Sequence, residues 1–439
     1  MRVLMITSSY PKHAGDGTSP FIGYLAESIA AHSGCEIDVV LPEHPELVVD
    51  RAGTRARLHP YRYAPTAAWS LWGYAASLDA DRAVKSRVFL LAPFALLAGL
   101  IRALRITRRR PLDVVHAHWV LPNGPIGALT AWLRGVPLVV SLHGSDMYLA
   151  ERGPWLGWVA RQVFRRASQV VACSENLRDR AIRLGAPARA THTIPYGVDL
   201  ARFRPDAASR AWLRERLGIG AADPVVLAVG RLVGKKGFEV LVRAWPAVIA
   251  ARPGARLVIA GDGDLREELG EQARSAGCAS SVSFVGAVRH DEIPRFYAGS
   301  DVVAIPSVQD EGGNVDGLPN VLMESLASGA AVVATRVGGI PHVVEDGVNG
   351  VLVEPHDVAA LGAALVRLLA DPGMARRLGE AARNGAEEQQ GWEATARAHL
   401  AVYDDAIGSR SIAAASGPHA ETGGETKAAA AAWVRPRST

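Results

Sequence analysis

Residues 224–245, PVVLAVGRLVGKKGFEVLVRAW, place an apolar run, a glycine-rich loop and a helical pattern in immediate succession. VVLAV is short, β-branched and without polar alternation, the pattern of a strand buried on both faces. GRLVGKKG (230–237) interrupts it, and the apolar spacing from Phe238 onward predicts a helix. A strand that feeds a helix through a loop is the unit of a parallel sheet, and such sheets bind ligands outside the carboxyl ends of their strands. Arg231 and Lys236 therefore emerge where a ligand would lie. A guanidinium fork and a compact ammonium suit a diphosphate, although an exposed loop that is merely basic accounts for this stretch alone equally well.

The same unit recurs on both sides. Downstream, ARLVIAGDG, VSFVGAV, SDVVAIPS and AAVVATR read as further strands; upstream, RVLMIT, IDVVL, LDVVHAH, VPLVVSL and SQVVACS do so from residue 2. Two parallel α/β sheets in series are implied, 1–196 and 197–391, with Gly197 in IPYGVD (194–199) a candidate hinge because its backbone is permissive. A helical pattern over about 392–407 is expected to pack back on the first domain, and 408–439, rich in Ala, Ser and Gly without an apolar face, reads as a disordered tail. With 49% apolar residues, 439 residues fill two or more cores. The formal charge is only +4, from 48 Lys and Arg against 44 Asp and Glu, which argues against a nucleic-acid partner. Cys35, Cys173 and Cys278 stand alone, as expected of a reducing, cytoplasmic compartment. The segment VFLLAPFALLAGLIRALRI (88–106) has a charge-free run of 14 residues, short of the roughly 20 that a membrane span requires. MRVLMITSSYP at the start lacks the features of a secretory signal.

A second chemical signal is DGLPNVLMES (316–325). Pro319 suits a first helical turn, so the amides of Asn320 and Val321 should be left unpaired at a positive helix end, an anion site. Glu324 lies one turn beyond Asn320 on the same face, where its carboxylate reaches back toward that anion and suits a ribose hydroxyl. A solvated or capping glutamate is the commoner explanation for such a residue taken singly.

The ordered series GRLVGKKG, AGDGDLREEL, VSFVGAV, SDVVAIPS and DGLPNVLMESLASGAAVVATRVGGIPHVVEDGVNGVLVEP resembles the donor domain of the retaining family-4 glycosyltransferases of the GT-B fold. DVVHAHWVLPNG and VPLVVSLHGSDMY are similar to the acceptor domain of bacterial members that build exopolysaccharide, capsule or related glycoconjugates. The resemblance, over residues 1 to about 405, implies two Rossmann-like parallel-sheet domains facing each other across a cleft. It implies that Arg231 and Lys236 neutralise the donor diphosphate, that Glu324 holds the donor ribose as the second acid of the E-x7-E motif, and that the amides at Asn320 and Val321 bind phosphate. It also implies that His143 in SLHGSD faces the transferred sugar, that Gly17 in AGDGTSPF approaches the donor phosphates, and that Val288 meets the base. The first acid of the motif is Asp316 here, one methylene shorter than the family's Glu; Glu311 in QDEGGNVDG is the alternative, and the retained spacing to Glu324 favours Asp316.

The implied reaction moves a hexose from a nucleoside diphosphate sugar to an acceptor hydroxyl of a glycan or lipid-linked acceptor, with retention. The nucleotide sugar is a co-substrate, with no cofactor and no metal. A nucleotide-sugar sensor or catalytically weak partner subunit, its Asp316 blunting turnover, is the rival reading. The motifs DGD (262–264) and DAD (79–81) imitate a metal-binding acidic motif, yet the cationic pair already supplies the charge. The two histidines of HAHW (116–119) share a strand side but lack a third ligand, so packing or acceptor contact is the better reading. Segment 88–106 is open to two readings, a core helix or an interfacial one whose Arg102 and Arg105, with the run 108–110, meet anionic headgroups. Trp69, Trp72 and Tyr74 are candidates for stacking on sugar or for a membrane interface. A cytoplasmic enzyme in peripheral contact with the inner face of an anionic plasma membrane is thus expected.

Overall fold

The computed structural model of the chain describes all residues other than 14, 17, 18, 33, 51, 67, 68, 70, 71, 75–77, 80–82, 85, 311 and 416–439. The apolar runs form two parallel sheets. The first joins β1 (Arg2–Ile6), β2 (Glu36–Pro42) and β3 (Arg57–Tyr61) to β6 (Val114–His118), β7 (Leu138–Leu142), β8 (Gln169–Ala172) and β9 (Thr191–Thr193), in the order β3-β2-β1-β6-β7-β8-β9. Between β3 and β6 lies an antiparallel pair, β4 (Leu78–Asp79) and β5 (Ala83–Val84). The second sheet comprises β10 (Val225–Val229), β11 (Arg256–Ala260), β12 (Val282–Gly286), β13 (Val302–Ile305), β14 (Val332–Thr335) and β15 (Val351–Val353), in the order β12-β11-β10-β13-β14-β15. Strands β1, β6 and β7 are buried along their whole length, because helices cover both faces.

In each sheet the strand order reverses once, between β1 and β6 and between β10 and β13. Crossovers leave these two strands in opposite directions, so a crevice opens beyond their carboxyl ends. The two sheets face each other across the cleft that these edges line, as the two-domain reading expects. Apolar packing is continuous from one side to the other, and one buried cluster holds Leu177 together with Leu318 and Ile340.

On the first sheet, α1 (Pro20–Ala30), α2 (Ser86–Ile106), α3 (Asn123–Arg134), α4 (Ser145–Arg152) and α5 (Pro154–Phe164) supply most of the cover. In α2, Leu91, Ala95 and Ala103 are buried while Leu90, Phe94, Leu97 and Ile101 are exposed, so the helix is core on one face and bare on the other. Trp72 is buried against Ala95, which removes it as a stacking platform, whereas Trp69 is exposed.

The chain passes between the domains twice, side by side. Val198 bridges Gly391 and its amide donates to the Gln390 carbonyl at 2.7 Å. Gly197 is required there for space: a Cβ would stand 2.7 Å from the Trp392 ring. The helix Trp392–Ala415 then lies on the first sheet, its Ala396, Val402 and Tyr403 buried with Val3, Met5, Ile22 and Ile29. It runs on past Gly408 to Ala415, which corrects the expectation of a disordered tail over 408–415. A helix already nucleated by docking propagates readily into SIAAA, since Ala is the strongest helix former. The rest of the expected tail, 416–439, lies outside the described residues.

Candidate functional site

Loop 230–237 leaves the carboxyl end of β10, turns through Gly234–Lys236 and enters the helix Phe238–Ala251. Gly237 makes the turn at φ 66°, where a side chain is strained and would also run into the Pro306 carbonyl of the loop after β13. That close approach sets the two loops of the crevice against each other. Lys236 Nζ consequently stands 2.6 Å from Asp316 Oδ2, and Lys235 Nζ 3.6 Å from Oδ1. Burial alone would push the Asp316 carboxyl up, but the ammonium groups of Lys236 and Lys235, with Arg231 beyond them, hold it below its ordinary value. Arg231 itself is exposed at the mouth of the loop. The structure thus gathers Arg231, Lys236 and Asp316 and adds Lys235, which was within the quoted loop but was passed over for its neighbour.

Four residues past Asp316 the helix Asn320–Ala327 begins, one residue later than the proline signal predicts, because Pro319 keeps an extended backbone (ψ 124°) and caps the helix instead of joining it. Leu322 donates to the Pro319 carbonyl, whereas the amides of Asn320 and Val321 donate to no backbone group among the described residues. No side chain caps this end. Glu324, one turn on, accepts a 2.8 Å hydrogen bond at Oε2 from the hydroxyl of Tyr297, a fully buried residue of the helix Ile293–Gly299. Burial pushes the Glu324 carboxyl up to about 7, against the lowering effect of that hydroxyl and of Arg202 and Lys236. Val288, beyond β12, and Val321 are both partly buried against the apolar cluster that joins the two domains.

From the other domain comes His143, at the end of β7. Its Nδ1 meets the Tyr196 hydroxyl at 2.8 Å and its Nε2 meets His118 Nδ1 at 3.2 Å, with the Phe21 ring 5.0 Å away. Burial pulls the imidazole down to about 3, so it is neutral at physiological pH. Asp146 fixes the backbone around it, accepting from the amides of His143 (3.1 Å), Gly144 (2.9 Å) and Val120 (3.0 Å). The HAHW pair packs inward: His116 bonds Tyr403 and Ser141, both at 2.7 Å, and its ring lies 4.1 Å from that of His118. Among the described residues no group of three or more His, Cys, Asp or Glu is arranged to hold a metal ion.

The two halves meet at glycines. A Cβ on Gly317 would stand 3.0 Å from the His143 carbonyl oxygen and 2.8 Å from Leu177, so the peptide after Asp316 lies directly on the loop that carries His143. Arg202, just past the first crossing, reaches both sides: Nη1 donates to Tyr24 of α1 at 3.1 Å and Nη2 to the His290 carbonyl. Neither Arg202 nor Tyr297 stands in a motif, and both were missed. Gly17 and Glu311 lie outside the described residues.

The profile of the family described as "Glycosyl transferases group 1" matches residues 223–371, and that of "Glycosyl transferase 4-like domain" matches 16–197. Over 418 residues the chain is 33% identical to a GDP-mannose-dependent alpha-(1-6)-phosphatidylinositol monomannoside mannosyltransferase of Mycobacterium tuberculosis, covering 92% of this chain and 99% of that one. The chain belongs to the group 1, GT4-like glycosyltransferases. This glycosyltransferase is also 32% identical over 422 residues to a glycogen synthase of the same organism, covering 92% and 94% of the two chains. Among solved structures, a sucrose-phosphate synthase of Thermosynechococcus elongatus is similar in fold, with a TM-score of 0.74 at 24% identity over 94% of this chain and 100% of that one. Alr3699/HepE of Anabaena, solved in complex with UDP, scores 0.70 at 21% identity over 92% and 100%. At the level common to its relatives this glycosyltransferase is a retaining enzyme of the GT-B fold that moves a hexosyl group from a nucleoside diphosphate sugar to an acceptor.

Proposed function

We propose that residues 197–391 hold the nucleotide sugar and residues 1–196 the acceptor, with transfer in the cleft between them. The observation that carries this reading is the cation cluster of Arg231, Lys235 and Lys236 beside the unpaired amides of Asn320 and Val321, all at the β10/β13 crevice. As the sugar to diphosphate bond breaks, negative charge grows on the leaving oxygens, and fixed cations and a helix start stabilise that charge more than they stabilise the ground state. Asp316, held by Lys236 at 2.6 Å, yields it to the diphosphate and turns toward the sugar. Glu324 takes the ribose hydroxyls, Val288 lies by the base, and His143 and Gly17 close on the donor from the other domain. The acceptor hydroxyl attacks from the face that the diphosphate leaves, and the departing phosphate takes its proton, so that configuration is retained.

For the finer identity we propose GDP-mannose as donor and a lipid-linked glycan or related glycoconjugate as acceptor, the substrate type of exopolysaccharide and capsule assembly. The relative at 33% identity, whose name gives GDP-mannose and a phosphatidylinositol mannoside, supports the choice. No single helix among the described residues is long and apolar enough to cross a membrane. We place the enzyme in the cytoplasm, in peripheral contact with the membrane through segment 88–106. The test is release of nucleoside diphosphate from GDP-mannose and a panel of other nucleotide sugars, with and without a polyprenyl-linked acceptor. Lys236→Ala should lower acceptor-dependent release by about 10²- to 10³-fold, the loss typical of removing one preorganised charge-stabilising group. Undiminished release would overturn the assignment, and donor binding without turnover in the native protein would favour the sensor reading.

A further inference from the structure

The first domain exposes apolar side chains on three neighbouring helices of one sheet. On α2 the outward stripe is Leu90 (70% exposed), Phe94 (62%), Leu97 and Ile101, spaced for a single face. Trp132 on α3 is 70% exposed, and on α5 Trp155 (67%) and Trp158 (48%) stack at 5.0 Å. These helices form one body: α2 packs on α3 and α3 on α5, and Arg134 of α3 donates to Thr107 just past α2 at 2.9 Å. Exposed apolar side chains on adjoining helices of this kind mark an interaction site.

The charge around it is one-sided. Residues 90–170 hold ten Arg against three acids, whereas the whole chain carries only +4. The acids of this stretch do not balance them: Asp146 is buried on backbone amides, Glu151 is paired with Arg180, and Asp113 accepts from the Arg2 amide; of the arginines, Arg110 is paired with Glu36 of β2. On α2 and α5 the outward stripe starts apolar and ends basic, Ile101 followed by Arg105, and Trp158 by Arg161 and Arg165. Long cationic side chains beside indoles and aliphatic groups fit the boundary between headgroups and acyl chains.

We propose that the outward faces of α2, α3 and α5 together form a lipid-docking surface that seats the acceptor domain on an anionic bilayer, with Trp132, Trp155 and Trp158 among the headgroups. This deepens the peripheral contact inferred above from segment 88–106, replacing one helix by a three-helix face. Crossover helices run antiparallel to their strands, so Leu90 and Phe94 of α2 and Trp155 and Trp158 of α5 lie toward the carboxyl edge where the cleft opens, whereas Trp132, in the last turn of α3, lies toward the other edge. Docking along the flank of these helices leaves the cleft mouth beside the bilayer, and a lipid-linked acceptor enters without leaving it.

The full chain and the triple variant Trp132→Ser, Trp155→Ser, Trp158→Ser are sedimented with vesicles of phosphatidylcholine alone and of phosphatidylcholine mixed equally with phosphatidylglycerol. The native chain should bind the mixed vesicles at least tenfold more tightly than the neutral ones and should show tryptophan quenching by brominated acyl chains. The triple variant should lose at least tenfold in binding while its transfer to a water-soluble acceptor is unchanged, which separates this proposal from the catalytic one. Equal sedimentation of both proteins, no binding by the native chain, or a native dimer that the triple variant converts to monomer would overturn the proposal, the last by assigning the face to a second copy.

Discussion

Asp316 and Glu324 show how two carboxyls of one crevice are tuned in opposite directions. Asp316 keeps the Lys236 ammonium at 2.6 Å and is held below its ordinary value, whereas Glu324 is left with a phenol and a pKa raised to about 7 from 4.5. In the raised case the folded protein retains a proton that the unfolded chain has released, so Glu324 opposes folding increasingly as pH rises from 4.5 through 7. A donor ribose that hydrogen-bonds the ionised form offsets this. We expect kcat/KM for the nucleotide sugar to fall as pH drops below 7, with the limb absent in Glu324→Gln. Tyr297 is a positioning residue for that carboxylate: Tyr297→Phe removes the hydroxyl that lowers its pKa and should move the limb to higher pH while raising KM about tenfold or more, the scale of a hydrogen bond to a charged group. An unmoved limb in Tyr297→Phe would remove Tyr297 from the site. Arg231, Lys236 and Glu324 were singled out because charge at fixed offsets from a strand end or a proline carries its own geometry, and Asp316 through the family resemblance alone; the fold brings all four to one crevice. Tyr297 was not singled out, since a tyrosine within an apolar helix reads as core until its partner across the fold is known.

Among the elements, the strands of both sheets were legible for a simple reason: burial on two faces forces uninterrupted β-branched runs. Glycine at close approaches was harder, because a missing side chain gives no signal about what comes near it. Gly197 was read as a hinge on grounds of backbone freedom, whereas the Trp392 ring leaves no room there for a Cβ. Gly197→Ala should therefore destabilise the protein by about 1–3 kcal/mol, the usual result of overpacking, read as a lower urea midpoint. A midpoint within error of the native one would show that Trp392 moves aside freely. Segment 88–106 illustrates a different limit: one face of its helix is core and the other is exposed, and only the positions of α3 and the sheet decide which residues fall on which.

For the whole molecule, the contact of Gly317 with the His143 loop makes closure depend on one small residue. Gly317→Ala would put a methyl against Leu177, the His143 carbonyl and Cys173 of the opposite domain. Binding of nucleoside diphosphate, which the proposed function assigns to the second sheet, should persist in this variant, while transfer drops at least tenfold and small-angle scattering reports a larger radius of gyration. Native transfer at native dimensions would mean that this contact is dispensable. The helix Trp392–Ala415 has another consequence. The strands of the first sheet are roofed by residues synthesised after the whole second sheet, Tyr403 reaching back to His116 at 2.7 Å. The leading half of a nascent chain must then wait on the ribosome, incompletely folded, until the trailing half has emerged. Chains stalled near residue 390 should leave it open to protease, and chains released at full length should not.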